Sequence, residues 1–212
     1  MKLISTSFDN TYLIKEPVFS DNRGLFMETW NDIGYSNKKL LSDIPSLMAI
    51  QNDDSLFSTI FVQDNLSISK KNVFRGLHYQ IGDSSQAKLV RVIKGSVIDF
   101  IVDLRETSKT YGKFEFFELN DVNKLSLFIP SYFAHGFLSL EDDTIFTYKC
   151  GNYYDKKSEG SVNYADSVLR HVQNNKDTIL DIIRVYIPYE SEDDIIISEK
   201  DKSAPKFLHR KT

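Results

Sequence analysis

Between Phe61 and about Tyr154, apolar and polar residues alternate in short runs. The runs predict strands from Leu89 to Ile93, Val97 to Leu104, Lys113 to Leu119, Leu125 to Ile129, Gly136 to Leu140 and Thr144 to Cys150. In the second run, Ile98, Phe100, Val102 and Leu104 make one unbroken apolar face, while Val97, Asp99, Ile101 and Asp103 alternate apolar and acidic on the other. The first face belongs in a core; the second suits the wall of a cavity. Gly95 and Gly112 fall where a turn between strands needs a permissive backbone. Short strands at regular spacing predict an all-β fold, an antiparallel barrel or jelly roll.

The pattern lapses from Asn31 to Leu56, a stretch rich in Ser, Asn, Asp and Lys with at most a weak helix from Asn37 to Leu41. It reads as a surface excursion. Near the C-terminus Ile179, Ile182, Ile183 and Tyr186 recur at helical spacing behind a cap at Asp177 or Thr178, and Pro188 stops the pattern. No internal repeat, low-complexity tract or linker divides the chain, so its 212 residues are expected to form one domain.

Composition sharpens this picture. With 15 Phe and 11 Tyr, the chain favours pleated, half-buried surfaces over a helical bundle. A net charge of -4 argues against a general nucleic-acid binder, which needs excess Lys and Arg. The single Cys150 has no internal disulfide partner, and within an apolar strand it reads as an inert buried thiol. Met1-Lys2 leads into Leu3-Ile4-Ser5-Thr6-Ser7-Phe8 without a long apolar stretch, and no run reaches the length of a membrane span. A cytoplasmic protein without membrane or nucleic-acid partners is the expectation.

Candidate chemistry sits on Phe74-Arg75-Gly76-Leu77-His78-Tyr79-Gln80, on Gln86 to Arg91, and on Ile129 to Phe137. Basic groups inside strand patterns are costly in a core and point to a site within the β-structure, suited to acid-base work on an anionic sugar. Proton removal beside a carbonyl needs a base, an electrophile for the enolate oxygen and, for inversion, an acid on the opposite face. His78 suits the base, with a carboxylate to fix its tautomer; Asp201 is one candidate among many acidic residues. Tyr148 shares a strand face with Phe146 and Cys150 and suits the acid, while Lys88, with Arg75 or His135, suits the electrophile.

Each of these residues also has an ordinary reading. A strand histidine is commonly structural, a strand tyrosine a core or rim aromatic, and a lone Lys or Asp a solvated charge. The Tyr153-Tyr154 pair also suits a cover over the barrel end. A metal site wants three or more ligands, and His78 has no second histidine two residues away, which disfavours a metal-dependent barrel. Neither a nucleophilic Ser or Cys motif nor a glycine-rich phosphate loop is present.

Several motifs, in order along the chain, carry a resemblance: Asp21-Asn22-Arg23-Gly24, Phe61-Val62-Gln63-Asp64-Asn65, Phe74 to Gln80, Lys88-Leu89-Val90-Arg91, Phe133-Ala134-His135-Gly136-Phe137 and Tyr148-Lys149. From Glu16 to Pro205 the chain resembles the dTDP-4-dehydrorhamnose 3,5-epimerase family of cupin-type sugar-nucleotide epimerases. The resemblance implies a cupin-type jelly-roll barrel with short peripheral helices, usually a homodimer, with no metal or other cofactor. It implies inversion of C3 and C5 of dTDP-4-dehydro-6-deoxy-glucose on the way to dTDP-L-rhamnose. By motif position His78 is similar to the family's base, Asp201 to its paired carboxylate, Tyr148 to its proton donor and Lys88 to the residue that stabilises the enolate. For the nucleotide it implies Arg23, Phe26 and Glu28, on an N-terminal strand exchanged across the dimer, with Gln63, Asn65, Arg75, Tyr153 and, as a phosphate contact, Lys200.

The chain departs from the family pattern in three places. Tyr132 stands where glycine usually precedes Phe-Ala-His-Gly-Phe, which is expected to narrow the pocket or alter the local backbone. The segments near 31–56 and 167–197 are longer than usual. Two further readings share these motifs: an epimerase of another 4-keto sugar or of one carbon only, and a noncatalytic sugar-nucleotide binding module. The latter is expected to lack an acid or a base, and both are present. A metal-dependent cupin oxygenase is disfavoured by the ligand count.

Overall fold

The computed structural model describes residues 1–31, 59–187 and 194–212. The expected weak helix at 37–41 and Pro188 lie outside the described residues. The N-terminal strands are β1 (Lys2–Ser5), β2 (Tyr12–Lys15), β3 (Phe19–Asp21) and β4 (Gly24–Phe26). The central strands are β5 (Gln63–Ser69), β6 (Phe74–Gln80), β7 (Lys88–Lys94), β8 (Ser96–Asp103), β9 (Lys113–Asn120), β10 (Leu125–Ile129), β11 (Phe133–Ser139) and β12 (Thr144–Cys150). Two short strands follow, β13 (Glu159–Ser161) and β14 (Arg170–His171), then helices α1 (Ile179–Tyr186) and α2 (Glu199–Lys202).

Two six-stranded sheets, in the orders β1-β2-β10-β7-β12-β5 and β13-β6-β11-β8-β9-β14, share the eight central strands four and four. From β5 to β8 and from β9 to β12 the chain alternates between sheets, the connectivity of a jelly roll. β3 and β4 form a separate two-stranded hairpin.

The alternation within β8 resolves into two cores. Val97 and Ile101 turn inward, packing with Val90 and Val92 of β7, Phe137 of β11 and Phe146 of β12 between the sheets. Ile98, Phe100 and Val102 turn outward, yet all of β8 is buried. The C-terminal third covers that outer face with Val162, Tyr164, Leu169, Ile179, Ile182, Ile183 and Phe207. The acidic face of β8 therefore looks into the barrel interior.

Helix α1 belongs to this cover. Thr178 is its cap: its hydroxyl accepts from the Asp181 N–H at 3.2 Å, and the Asp181 carboxylate accepts from the Thr178 N–H at 2.9 Å. Such a cap contributes about 1 kcal/mol, and each buried isoleucine of its apolar face about 1.5–3 kcal/mol. Leu169 and the α1 residues Ile179, Ile182 and Ile183 thus supply part of the second core.

β11 begins at Phe133, three residues earlier than its apolar pattern indicated, so His135 lies within the strand. It pairs with β6 through a register shift between His135 and Phe137. Glycines permit this close passage. A Cβ on Gly76, where φ is +122°, would stand 2.6 Å from the Gly136 Cα, and one on Gly136 would stand 2.5 Å from the Arg75 carbonyl oxygen. The result sets His135 directly opposite His78.

Tyr132 adopts φ +66°, the left-handed conformation that glycine takes without penalty. Its side chain is exposed and does not line the cavity described below, so it does not narrow it.

Candidate active site

A cavity of about 830 Å³ opens at one end of the barrel. β6 delivers Arg75 and His78, β7 Lys88, β11 His135 and β12 Tyr148, while α2 brings in Lys200 and Asp201 from the C-terminal segment. Strand alternation is the reason: Phe146, Tyr148 and Cys150 occupy one face of β12, and all three line the cavity.

His78 Nε2 lies 2.6 Å from Asp201 Oδ1. The other carboxylate oxygen accepts the Gly76 N–H at 3.3 Å, and the Ser198 hydroxyl caps α2 by accepting the Asp201 N–H at 3.1 Å. Burial pushes the Asp201 carboxyl up, but the His78 hydrogen bond and charge, helped by Gly76 and Ser198, outweigh it and hold the group below the ordinary aspartate value. An ionised Asp201 accepts a hydrogen bond from His78 Nε2–H, so in the neutral ring Nδ1 carries the lone pair.

Lys88 is buried and donates to the His78 carbonyl oxygen at 3.3 Å. Burial pushes its ammonium below the usual lysine range, against the pull of Cys150, Asp99 and Glu159. Burial likewise raises the Tyr148 phenol, reinforced by Cys150 and opposed by Arg75, so the hydroxyl keeps its proton at neutral pH. The Cys150 thiol is also raised by burial, against Lys88 and the Asn65 amide.

The remaining candidates separate into two groups. Gln63, Asn65 and Arg75 line the cavity; Gln63 donates to the Asn65 side-chain carbonyl at 3.0 Å, and Arg75 Nε donates to the Ser69 hydroxyl at 3.1 Å. Lys200 lines it too, paired with Glu159 at 2.7 Å. Tyr153 is exposed and does not line the cavity, whereas its neighbour Tyr154 does and donates from its hydroxyl to Glu159 at 3.3 Å. Arg23, Phe26 and Glu28 do not reach the cavity of their own chain; Phe26 is 69% exposed, and Arg23 forks onto Asp21 at 2.6 Å.

Sequence reasoning missed Tyr154, Glu159 and the role of Asp99, which accepts from or donates to His135 Nε2 at 2.9 Å. An acid inside the apolar β8 pattern was a signal for Asp99. Nothing in the local pattern marked Glu159. Among the described residues no group of three or more His, Cys, Asp and Glu side chains is gathered to hold a metal ion, and no helix is long and apolar enough to cross a membrane.

Residues 5–209 match the family model for dTDP-4-dehydrorhamnose 3,5-epimerase. The chain is 39% identical over 202 residues to the dTDP-4-dehydrorhamnose 3,5-epimerase of Methanothermobacter thermautotrophicus, covering 95% of this chain and 92% of that one. The crystal structure of the Elizabethkingia anophelis dTDP-4-dehydrorhamnose 3,5-epimerase superposes with a TM-score of 0.76 at 41% identity, over 98% of this chain and 97% of that one. A Legionella pneumophila dTDP-6-deoxy-D-glucose-3,5-epimerase, solved in complex with dTDP-4-keto-L-rhamnose, gives a TM-score of 0.75 at 33% identity, over 98% and 93%. These solved relatives share the cupin-type jelly-roll architecture of the two sheets.

Proposed function

The chain belongs to the dTDP-4-dehydrorhamnose 3,5-epimerase family and is an isomerase, and we propose that its cavity performs the double inversion with His78 as base, Lys88 as electrophile and Tyr148 as acid. The 2.6 Å contact between His78 and Asp201 carries this reading. A neutral imidazole with its proton directed to a buried carboxylate offers its other nitrogen as a base and gains a counter-charge when it becomes imidazolium.

The substrate is dTDP-4-dehydro-6-deoxy-glucose, in which C3 and C5 both flank the C4 ketone. His78 Nδ1 takes a proton from one of these carbons, and the electron pair moves onto the C4 oxygen. The Lys88 ammonium meets that oxygen as its charge develops, where water is largely excluded and a cation counts most. Tyr148 then delivers its proton to the opposite face, inverting the carbon. Imidazolium and phenolate return to their starting states by proton exchange with solvent, and the cycle repeats at the second carbon.

Gln63, Asn65 and Arg75 are assigned to the sugar and diphosphate because all three line the cavity, and Arg suits a forked grip on phosphate oxygens. Lys200, paired with Glu159, keeps further ammonium donors for a phosphate oxygen. Arg23, Phe26 and Glu28 belong to a neighbouring subunit's cavity in a homodimer, a reading supported by the exposed apolar side chains of the β3-β4 hairpin. Residues 1–212 act as one catalytic domain.

Deuterium uptake tests the assignment. In heavy water, wild-type protein is expected to exchange C3 and C5 hydrogens of dTDP-4-dehydro-6-deoxy-glucose, followed by NMR. His78→Ala should abolish exchange at both while still binding dTDP, and Asp201→Asn should slow it by about 10²–10⁴-fold. Near-normal exchange in His78→Ala would remove the mechanism.

A further inference from the structure

Tyr154 lines the cavity from beyond the end of β12, in a segment that belongs to neither sheet. It is 56% exposed, so core packing does not set the place of its ring. What holds it is the backbone on either side, fastened at three consecutive groups.

Gln80 makes two of the three attachments. This buried residue of β6 stands two positions past His78, and both line the cavity. Its side-chain carbonyl accepts the Asp155 N–H at 2.6 Å, and its side-chain amide donates to the Tyr153 carbonyl oxygen at 3.1 Å. The amide's other hydrogen goes to the Ser84 carbonyl oxygen at 2.6 Å, so the partners use the acceptor and both donors and fix which end of the amide is which. The third attachment comes from Gln63 of β5, whose side-chain carbonyl accepts the Tyr154 N–H at 3.0 Å. β5 and β6 lie in opposite sheets, so the segment carrying Tyr154 is tied to both walls of the barrel.

We propose that Gln80 is a positioning residue for substrate binding, holding the Tyr153–Asp155 backbone so that Tyr154 is in place at the cavity mouth before the nucleotide end of the substrate arrives. That the nucleotide end meets this ring rests on the function proposed above, in which the reacting carbons occupy the interior beside His78 and Lys88.

The physical gain is preorganisation. Fixing the backbone of each loop residue costs about 1–2 kcal/mol of conformational entropy, and a loop that orders only on binding loses that from its affinity. A tyrosine has only two side-chain torsions, so most of the cost of presenting its ring lies in the backbone that Gln80 holds. A glutamine that merely stitched two loops together would affect stability without singling out the ligand, and the two roles separate by measurement.

Gln80→Met keeps the length of the side chain and removes all three hydrogen bonds. Titration with dTDP should show the folded variant binding about tenfold more weakly, and KM should rise by about as much, with kcat within about threefold of wild type. In a Tyr154→Ala background the same change should weaken dTDP binding by less than about twofold, because Gln80 acts through that residue. Unchanged dTDP affinity in Gln80→Met, or an equal loss in both backgrounds, would overturn the proposal. Hydrogen exchange in the wild-type protein decides the case even if the variant does not fold. The Tyr154 and Asp155 amides should be protected alike with and without dTDP, and protection that appears only with dTDP would also overturn the proposal. These readouts follow binding alone and stand whichever residue proves to be the base, so their failure is distinguishable from failure of the mechanism.

Discussion

The Lys88 ammonium donates to the backbone carbonyl of His78, so the side chain assigned to the enolate is fastened to the peptide that carries the base. Lys88 reaches from one sheet and His78 belongs to the other, and their spacing is set by the whole sandwich rather than by either strand. This rigidity suits a site in which charge must be met where it forms. Lys88→Met, which keeps the stem and removes the charge, is expected to lower kcat by about 10²–10³-fold. Titration with dTDP should show affinity near wild type; a variant turning over at the wild-type rate would show that Lys88 is structural.

Tyr148→Phe retains the ring and its packing beside Phe146. Exchange of substrate hydrogen should continue, because the proposed base His78 is left intact, while completed inversion falls sharply. The same variant has a pH signature. Burial raises the Tyr148 phenol, so an unfolded chain ionises there first, near pH 10. Its contribution to stability is full below that value and is lost as pH rises through the higher folded one. Denaturant midpoints measured above pH 10 should accordingly fall less steeply in Tyr148→Phe than in wild type.

The β3-β4 hairpin exposes Phe19, Leu25 and Phe26. Deleting residues 1–30 would be a poor test of subunit exchange, because it also removes Tyr12 and Ile14 from the packing of the first sheet. Phe19→Ser with Phe26→Ser spares that packing. Light scattering should report loss of the dimer, and dTDP binding should weaken by about tenfold or more, the scale of a lost anchoring contact. A full-length wild-type protein that is monomeric and still binds dTDP tightly would end the strand-exchange reading.

Tyr132→Gly should stabilise the protein. The left-handed backbone at φ +66° costs a non-glycine residue about 1–2 kcal/mol, more than the roughly 0.4–1 kcal/mol of extra unfolded-state freedom that glycine adds. Thermal unfolding should shift upward by about 1–3 °C. Turnover should stay at the wild-type value, since Tyr132 lies outside the cavity.

Much of this molecule was legible along the chain because strands and helices write local periods. Alternation located β8, β9, β10 and β12 to within a residue or so, and turned Tyr148 and Cys150 inward together. Helical spacing located α1, although only the structure chose Thr178 over Asp177 as its cap. The resemblance named His78 and Asp201 as partners, but physics read from the sequence did not, since 123 positions separate them and many acids compete. Their contact exists because α2 docks beside β6, with Ser198 and Gly76 fixing the carboxylate. Tertiary structure also decided which apolar face of β8 is the outer one, because a pleat has two faces and only the C-terminal cover distinguishes them. It exchanged Tyr153 for Tyr154 at the wall, since alternation carries no information beyond a strand's end. Asp99 and His135 meet because β8 and β11 pair side by side in one sheet: a local pattern states which face a side chain takes, and only strand pairing states which side chain stands beside it.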